Sequence, residues 1–223
     1  MQLGEDTITM SMTLNPVNEA AFQKAVQSLE TLNRAAVFHP TGTGKSCIAW
    51  KVVEAHPQTT FFWLVAGAQR LALRQAELTR YNGGTLPGNV RFCDCEKLAA
   101  ATPEQWVRLG EQKPGCIVLD CYHELSAVCW AQSVQKLLRM CPQAKVLGLG
   151  VPNGAPVCAA AQELFADCIV SHMTVAEAMA AGTMPVPSAY AALLWPQEEE
   201  LVTLRARIKN LCMPKGDTSL RVQ

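Results

Sequence analysis

The sequence predicts an α/β fold, a mainly parallel sheet with helices on both faces, and three observations predict it. Short apolar runs alternate along the chain with longer stretches of helical periodicity, as in a sheet buried on both sides. A turn-rich segment, HPTGTGKS at 39–46, stands between one such run and one such helix. The run IVLD, residues 117–120, ends on a carboxylate, as a buried strand does when it delivers that group to its C-terminal edge.

Taken in order, residues 1–14 read as a loose or short-strand lead-in. From Asn18 to Leu32, Ala21, Ala25, Val26 and Leu29 recur at helical spacing and predict an amphipathic helix. Ala35 to Phe38 form a buried strand. A second helix runs from about Ser46 to Ala55 and stops at His56-Pro57, because a residue before proline is held out of the helical region. TTFFWLVA, residues 59–66, is a strand. Residues 68–80 are a helix carrying Arg70, Arg74 and Arg80 among alanines and leucines. After the glycine-rich loop YNGGTLPGN, NVRFCDC at 89–95 reads as a strand. Thr102 and Gln105 then form a capping-box pattern at the head of a helix over 103–111. GCIVLDC at 115–121 is a strand, and a helix over 128–140 places Val134, Leu137 and Leu138 on one apolar face. KVLGLG and DCIVSH are two further strands, and Thr174 with Glu177 opens a helix that ends near Gly182. No internal repeat is visible.

Composition bounds the class. The chain has 223 residues, 49% apolar and 17% charged, which fits a globular protein with a sizeable core. Its formal net charge is zero, so no global basic field announces a nucleic-acid partner, although a local groove can still bind phosphates. No apolar stretch is long enough to span a membrane, and MQLGEDTITM lacks the pattern of a signal peptide. The ten cysteines include no C-x-x-C pair, and several lie in apolar runs, so they read as small buried hydrophobes. Cys93 and Cys95, on a strand, would share one face. Reduced thiols and the absent leader lead to the expectation of a cytoplasmic protein.

The chemistry concentrates at 39–46. Small residues let the backbone curl until successive N–H groups point at phosphate oxygens, a lysine reaches the terminal phosphates, and a hydroxyl ligates magnesium. Gly42, Gly44, Lys45 and Ser46 supply these parts, and Pro40, Thr41 and Thr43 complete the loop. The general pattern asks for glycine at position 39, where this chain has His39. Asp120 is the natural partner, an aspartate at a strand end that steadies the magnesium, with Ser46, beside a nucleoside triphosphate.

HPTGTGKS, FFWLVAGAQR, IVLDCYHE and KVLGLGVPNGAP, in that order, resemble the first motor lobe of superfamily 2 DEAD/DEAH-type helicases, in particular a restriction-subunit-like ATPase domain. ELFADCIVSHMTVAEAMAAGTMPVPSAY extends the similarity, so it covers about residues 14–190. The resemblance implies a RecA-like P-loop NTPase domain that binds ATP and magnesium. Pro40 to Ser46 would hold the phosphates, Ser46 and Asp120 the metal, and Lys45, Asp120 and His123 the catalytic roles. His123 falls where such proteins carry the histidine of a D-E-x-H box. Arg70 and Arg74 fall near a motif that lines single-stranded DNA or RNA.

The departures from the family concern hydrolysis. The glutamate that orients water is replaced by Cys121, a thiol mostly protonated at neutral pH, and losing a positioned base costs on the order of a hundred- to ten-thousandfold. Glu124, three residues on, is poorly placed to substitute. The Ser-Ala-Thr of motif III is Gly150-Val151-Pro152 here, and Asn18 stands near the place of the adenine-reading glutamine, with Gln23 the nearest glutamine. The expected domains are 1–190, the ATP-binding lobe, and 191–223, a charged helical extension and polar tail that cannot form a second lobe with its arginine finger. The expected function is an ATP-binding helicase lobe with weak or absent hydrolysis of its own, holding nucleic acid weakly or recruiting a second lobe or protein partner. The alternative is a non-enzymatic interaction scaffold with a vestigial nucleotide site.

Overall fold

The computed structural model describes residues 12–122, 128–152, 163–186 and 202–203. The chain divides into two compact units, Met1–Pro185 and Val186–Gln223, and the sheet and the cleft belong to the first. The expected C-terminal helix lies almost wholly outside the described residues, as do His123 and Glu124.

Six parallel strands form one sheet: β1 (Arg34–Phe38), β2 (Phe61–Val65), β3 (Val90–Asp94), β4 (Cys116–Leu119), β5 (Lys145–Gly150) and β6 (Ile169–His172), in the order β3-β2-β4-β5-β1-β6. Side chains alternate across a strand, so each central strand feeds two cores at once. Phe62, Leu64, Ile117 and Leu119 enter one core; Phe61, Trp63, Val65, Cys116 and Val118 enter the other. All nine of these are buried, whereas the edge strands β3 and β6 are only partly so. The expected sheet with helices on both faces is therefore the observed one.

One face is covered by α1 (Pro16–Thr31), α2 (Lys45–Ala55) and α3 (Ala68–Tyr81) through Ala21, Ala25, Leu29, Ile48, Val52 and Leu78. The opposite face is covered by α4 (Cys95–Ala99), α5 (Pro103–Glu111) and α6 (Val128–Met140) through Leu98, Trp106, Val134 and Leu137. The Thr102 side chain and Gln105 close the predicted capping box of α5, and Thr174 with Glu177 forms a second such box at the head of α7 (Val175–Ala180). One element departs from expectation. NVRFCDC is not a strand throughout: β3 stops at Asp94, whose carboxylate accepts from the Glu96 backbone N–H at 2.9 Å and caps α4. Cys93 and Cys95 still reach the same core, where burial pushes both thiols up to about 12.

Close packing explains a glycine inside β5. A Cβ on Gly148 would lie 2.5 Å from Phe165 Cζ, a ring with no exposure, so the strand passes under that ring only without a side chain.

Candidate functional site

The C-terminal ends of β1, β4 and β5 converge on a cleft of about 530 Å³, beside the point where the chain order of the sheet reverses. Open α/β sheets bind ligands outside the carboxyl ends of their strands at such a point. A second depression of about 550 Å³ lies by Arg34 and Val146, at the opposite ends of β1 and β5, and no carboxylate lines it among the described residues.

β1 is followed directly by the loop 39–44 and then by α2. Gly42 and Gly44 both have φ of 88°, a left-handed conformation that glycine adopts without a Cβ penalty. The resulting curl turns the chain sharply into the head of α2. Helix N-termini present unbonded N–H groups and a partial positive charge, which favours anions. Lys45, the first residue of α2, lies over the loop: its Nζ donates to the carbonyls of His39 and Pro40, 2.8 Å each. Thr43 Oγ1 donates to Pro40 O at 2.8 Å, bracing the curl from within. Thr41, Gly42, Gly44, Lys45 and Ser46 line the cleft. Burial lowers the Lys45 pKa from its ordinary value and Arg74 lowers it further, while Cys121 and Asp120 oppose that shift.

Two contacts outside the loop hold it. Asn18, on α1, is buried and donates through Nδ2 to Thr43 O at 2.7 Å; its Oδ1 has no protein partner among the described residues. Gln23 instead bonds Glu19 on an exposed face, so of the two residues weighed for base reading only Asn18 touches the loop. His39, at the position where the general pattern has glycine, is wholly buried with Nε2 2.7 Å from Ser171 Oγ on β6. The imidazole thus pins the loop to the edge strand. Burial first, then the charges of Lys45 and His172, lower its pKa from 6.5 to about 4.

A pH dependence follows from that shift. Below pH 6.5 the unfolded chain protonates His39, while the folded chain does so only near 4, so stability falls as pH drops through that window. At about 1.4 kcal/mol per pKa unit, the loss between pH 7 and pH 5 from this group is ~2 kcal/mol. Urea melts at both pH values should show a smaller loss for His39→Gln. Equal losses in both proteins would place the neutral imidazole elsewhere in the balance.

Across the cleft, β4 is followed directly by Asp120, which is buried, and Cys121 takes the left-handed φ of 58°. Asp120 is not solitary. Its Oδ2 accepts from Arg74 Nε at 2.6 Å and from Trp63 Nε1 at 3.2 Å, and the Cys121 Sγ stands 3.7 Å from its Oδ1. Arg74 also pairs through Nη1 with Glu77, one turn along α3. Burial opposes the charge on Arg74, but Asp120 and Glu77 outweigh it and hold its pKa above the ordinary value. Arg74 is thus committed to the cleft floor, not to a nucleic-acid track along α3. Sequence reasoning missed this pairing, which joins residues 46 positions apart.

The donor set suits a phosphate chain: the left-handed glycines, the head of α2 and Lys45 form a cradle for anionic oxygens. It suits a magnesium ion as well, since Ser46 and Asp120 both line the cleft, with the difference that one Asp120 oxygen already carries a guanidinium. Among the described residues no cluster of three or more His, Cys, Asp or Glu could hold a metal by itself. No described helix is long and apolar enough to cross a membrane.

The fold is the RecA-like fold of helicase motor domains. No family model matches the chain, and no curated protein does. Among solved structures it is similar to the UvsW helicase of bacteriophage T4, with TM-score 0.53 and 11% identity over 73% of this chain and 60% of that one. It is also similar to a hypothetical ATP-dependent RNA helicase of Sulfolobus tokodaii, with TM-score 0.51 and 12% identity over 76% of this chain and 55% of that one. The DNA-bound ATP-dependent Type ISP restriction-modification enzyme LlaBIII matches with TM-score 0.54 and 13% identity over 77% of this chain. This chain spans only 16% of that enzyme.

Proposed function

We propose that this protein binds a nucleoside triphosphate, ATP by likeness of fold, with its phosphates in the loop Pro40 to Ser46. The observation that carries this reading is the folded cradle itself: Lys45 at the head of α2 with its Nζ over the loop, two left-handed glycines, and Asp120 lining the same cleft. Pro40, Thr41, Gly42, Thr43 and Gly44 would shape the backbone around the phosphates. Lys45 would meet their charge, and Ser46 and Asp120 are the groups that would hold a magnesium ion. That ion, when bound, neutralises phosphate charge. His123, proposed to couple the nucleotide to the rest of a motor, lies outside the described residues. With Cys121 where a glutamate would orient water, hydrolysis by this chain alone is weak or absent. Weak contact with single-stranded nucleic acid, and completion of the site by a second lobe or partner protein, belong to the same reading.

The decisive test is direct titration with ATP. Lys45→Ala removes a charge-assisted contact of about 1.5–3 kcal/mol and so weakens binding by roughly 10- to 100-fold. Equal affinity in wild type and variant would end the reading. The scaffold alternative has one observation in its favour, the internal neutralisation of Asp120 by Arg74. Thermal shift separates the two, because ligand at a hundred times its Kd stabilises by about 2.7 kcal/mol, and a scaffold shows no shift.

A further inference from the structure

Resting on the nucleotide reading, we propose that Arg74 serves as the resident cation of this site, so that the cleft takes the metal-free, fully anionic nucleotide almost as well as its magnesium complex. Where an aspartate faces bound phosphates, two anionic groups oppose each other, and a dication between them ordinarily relieves the repulsion. Here the carboxylate is already compensated. Arg74 Nε lies 2.6 Å from Asp120 Oδ2 and the Trp63 indole bonds the same oxygen. Glu77 shares the guanidinium from the other side, but its side chain is 31% exposed and water screens its charge, so the cation serves the buried Asp120 first.

This is a built arrangement. Asp120 is 4% and Arg74 18% exposed at the side chain, and Trp63, which orients the carboxylate, has no exposure at all. An ion pair so poorly hydrated is costly to open, because the freed carboxylate would remain buried without a counter-charge. The arginine also cannot lose its proton at any ordinary pH, so the compensation is permanent. Arg74 is therefore a specificity-determining residue: it sets which form of the ligand, free or magnesium-bound, the cleft accepts. Lys45 and the head of α2 then act on the phosphates without a bridging metal.

The test is calorimetric titration of the intact protein with ATP, once in excess magnesium and once in EDTA. Wild type should show dissociation constants within about threefold of each other. Arg74→Gln should lose about tenfold or more in EDTA and regain most of it in magnesium, because the dication then takes over the compensation of Asp120 that the guanidinium supplied. Arg74→Lys, which keeps the charge, should remain indifferent to magnesium and guards against a Gln variant that does not fold. A wild-type preference for magnesium of tenfold or more overturns the proposal, as does a Gln variant with no new magnesium dependence. Absence of ATP binding in both buffers overturns the nucleotide reading instead, which keeps the two failures apart.

Discussion

Arg74→Met lowers the stability of the protein by ~3 kcal/mol or more. Truncating one partner of a buried ion pair leaves the other charged without compensation, which costs about 3–5 kcal/mol. The lower end applies because Arg74 keeps 18% of its side chain exposed and water can approach from that side. Trp63 Nε1 would still donate to Asp120, yet one neutral hydrogen bond does not replace a cation at 2.6 Å. Urea unfolding measures the loss. The double variant Arg74→Met with Asp120→Asn removes both charges at once and should recover most of the stability, since a neutral amide tolerates burial beside the indole. If the single variant falls within about 1 kcal/mol of wild type, or the double variant is no better than the single one, the pair is not a coupled unit.

Trp63→Ala is the second large effect, with an expected loss of ~4 kcal/mol. The residue lies at the middle of β2, has no exposure, and packs against Phe92 with ring centroids 6.0 Å apart. Replacing a buried tryptophan by alanine removes its transfer free energy and leaves a cavity, together about 3–5 kcal/mol. Trp63→Phe separates packing from polarity: it keeps most of the ring volume and loses the N–H to Asp120, for about 1 kcal/mol. Guanidinium or urea melts of both variants check the ordering. A Phe variant as unstable as the Ala variant would mean that the hydrogen bond to Asp120, not the ring volume, dominates at this position.

How much of this was legible in the sequence depends on how far apart the cooperating residues lie. The loop 39–46 was readable because its parts are consecutive, and glycines at positions 42 and 44 have few other reasons to precede a Lys-Ser pair. Asp120 was readable as a strand terminus because IVL is too apolar for anything but a buried strand. The capping box at Thr102 and the helix head at Thr174 were readable because the reciprocal bonds span three residues. By contrast, α4 was hidden because its helix begins within a run of strand-like residues, and only the Asp94 carboxylate on the Glu96 N–H marks the change. Arg74 looked like one of three arginines on a solvated or nucleic-acid-facing helix. Glu77 three residues on is a local partner for Arg74, but nothing local marks it, rather than Arg80 over the Tyr81 ring, as the partner of Asp120.

Local chemistry alone thus determined the α/β class, the alternation of strands and helices apart from α4, the glycine-rich turn ahead of Lys45 and Ser46, and the thiol at Cys121, because each is written in neighbouring residues. Tertiary structure decided that His39 anchors the loop to β6, that Asn18 rather than Gln23 reaches Thr43, and that Asp120 meets Arg74 before it meets any ligand. Those three pairings join residues 132, 25 and 46 positions apart. Periodicity and propensity describe how a segment folds upon itself. Which distant charge ends up against a buried carboxylate is set by how the sheet stacks its strands and aims its helices.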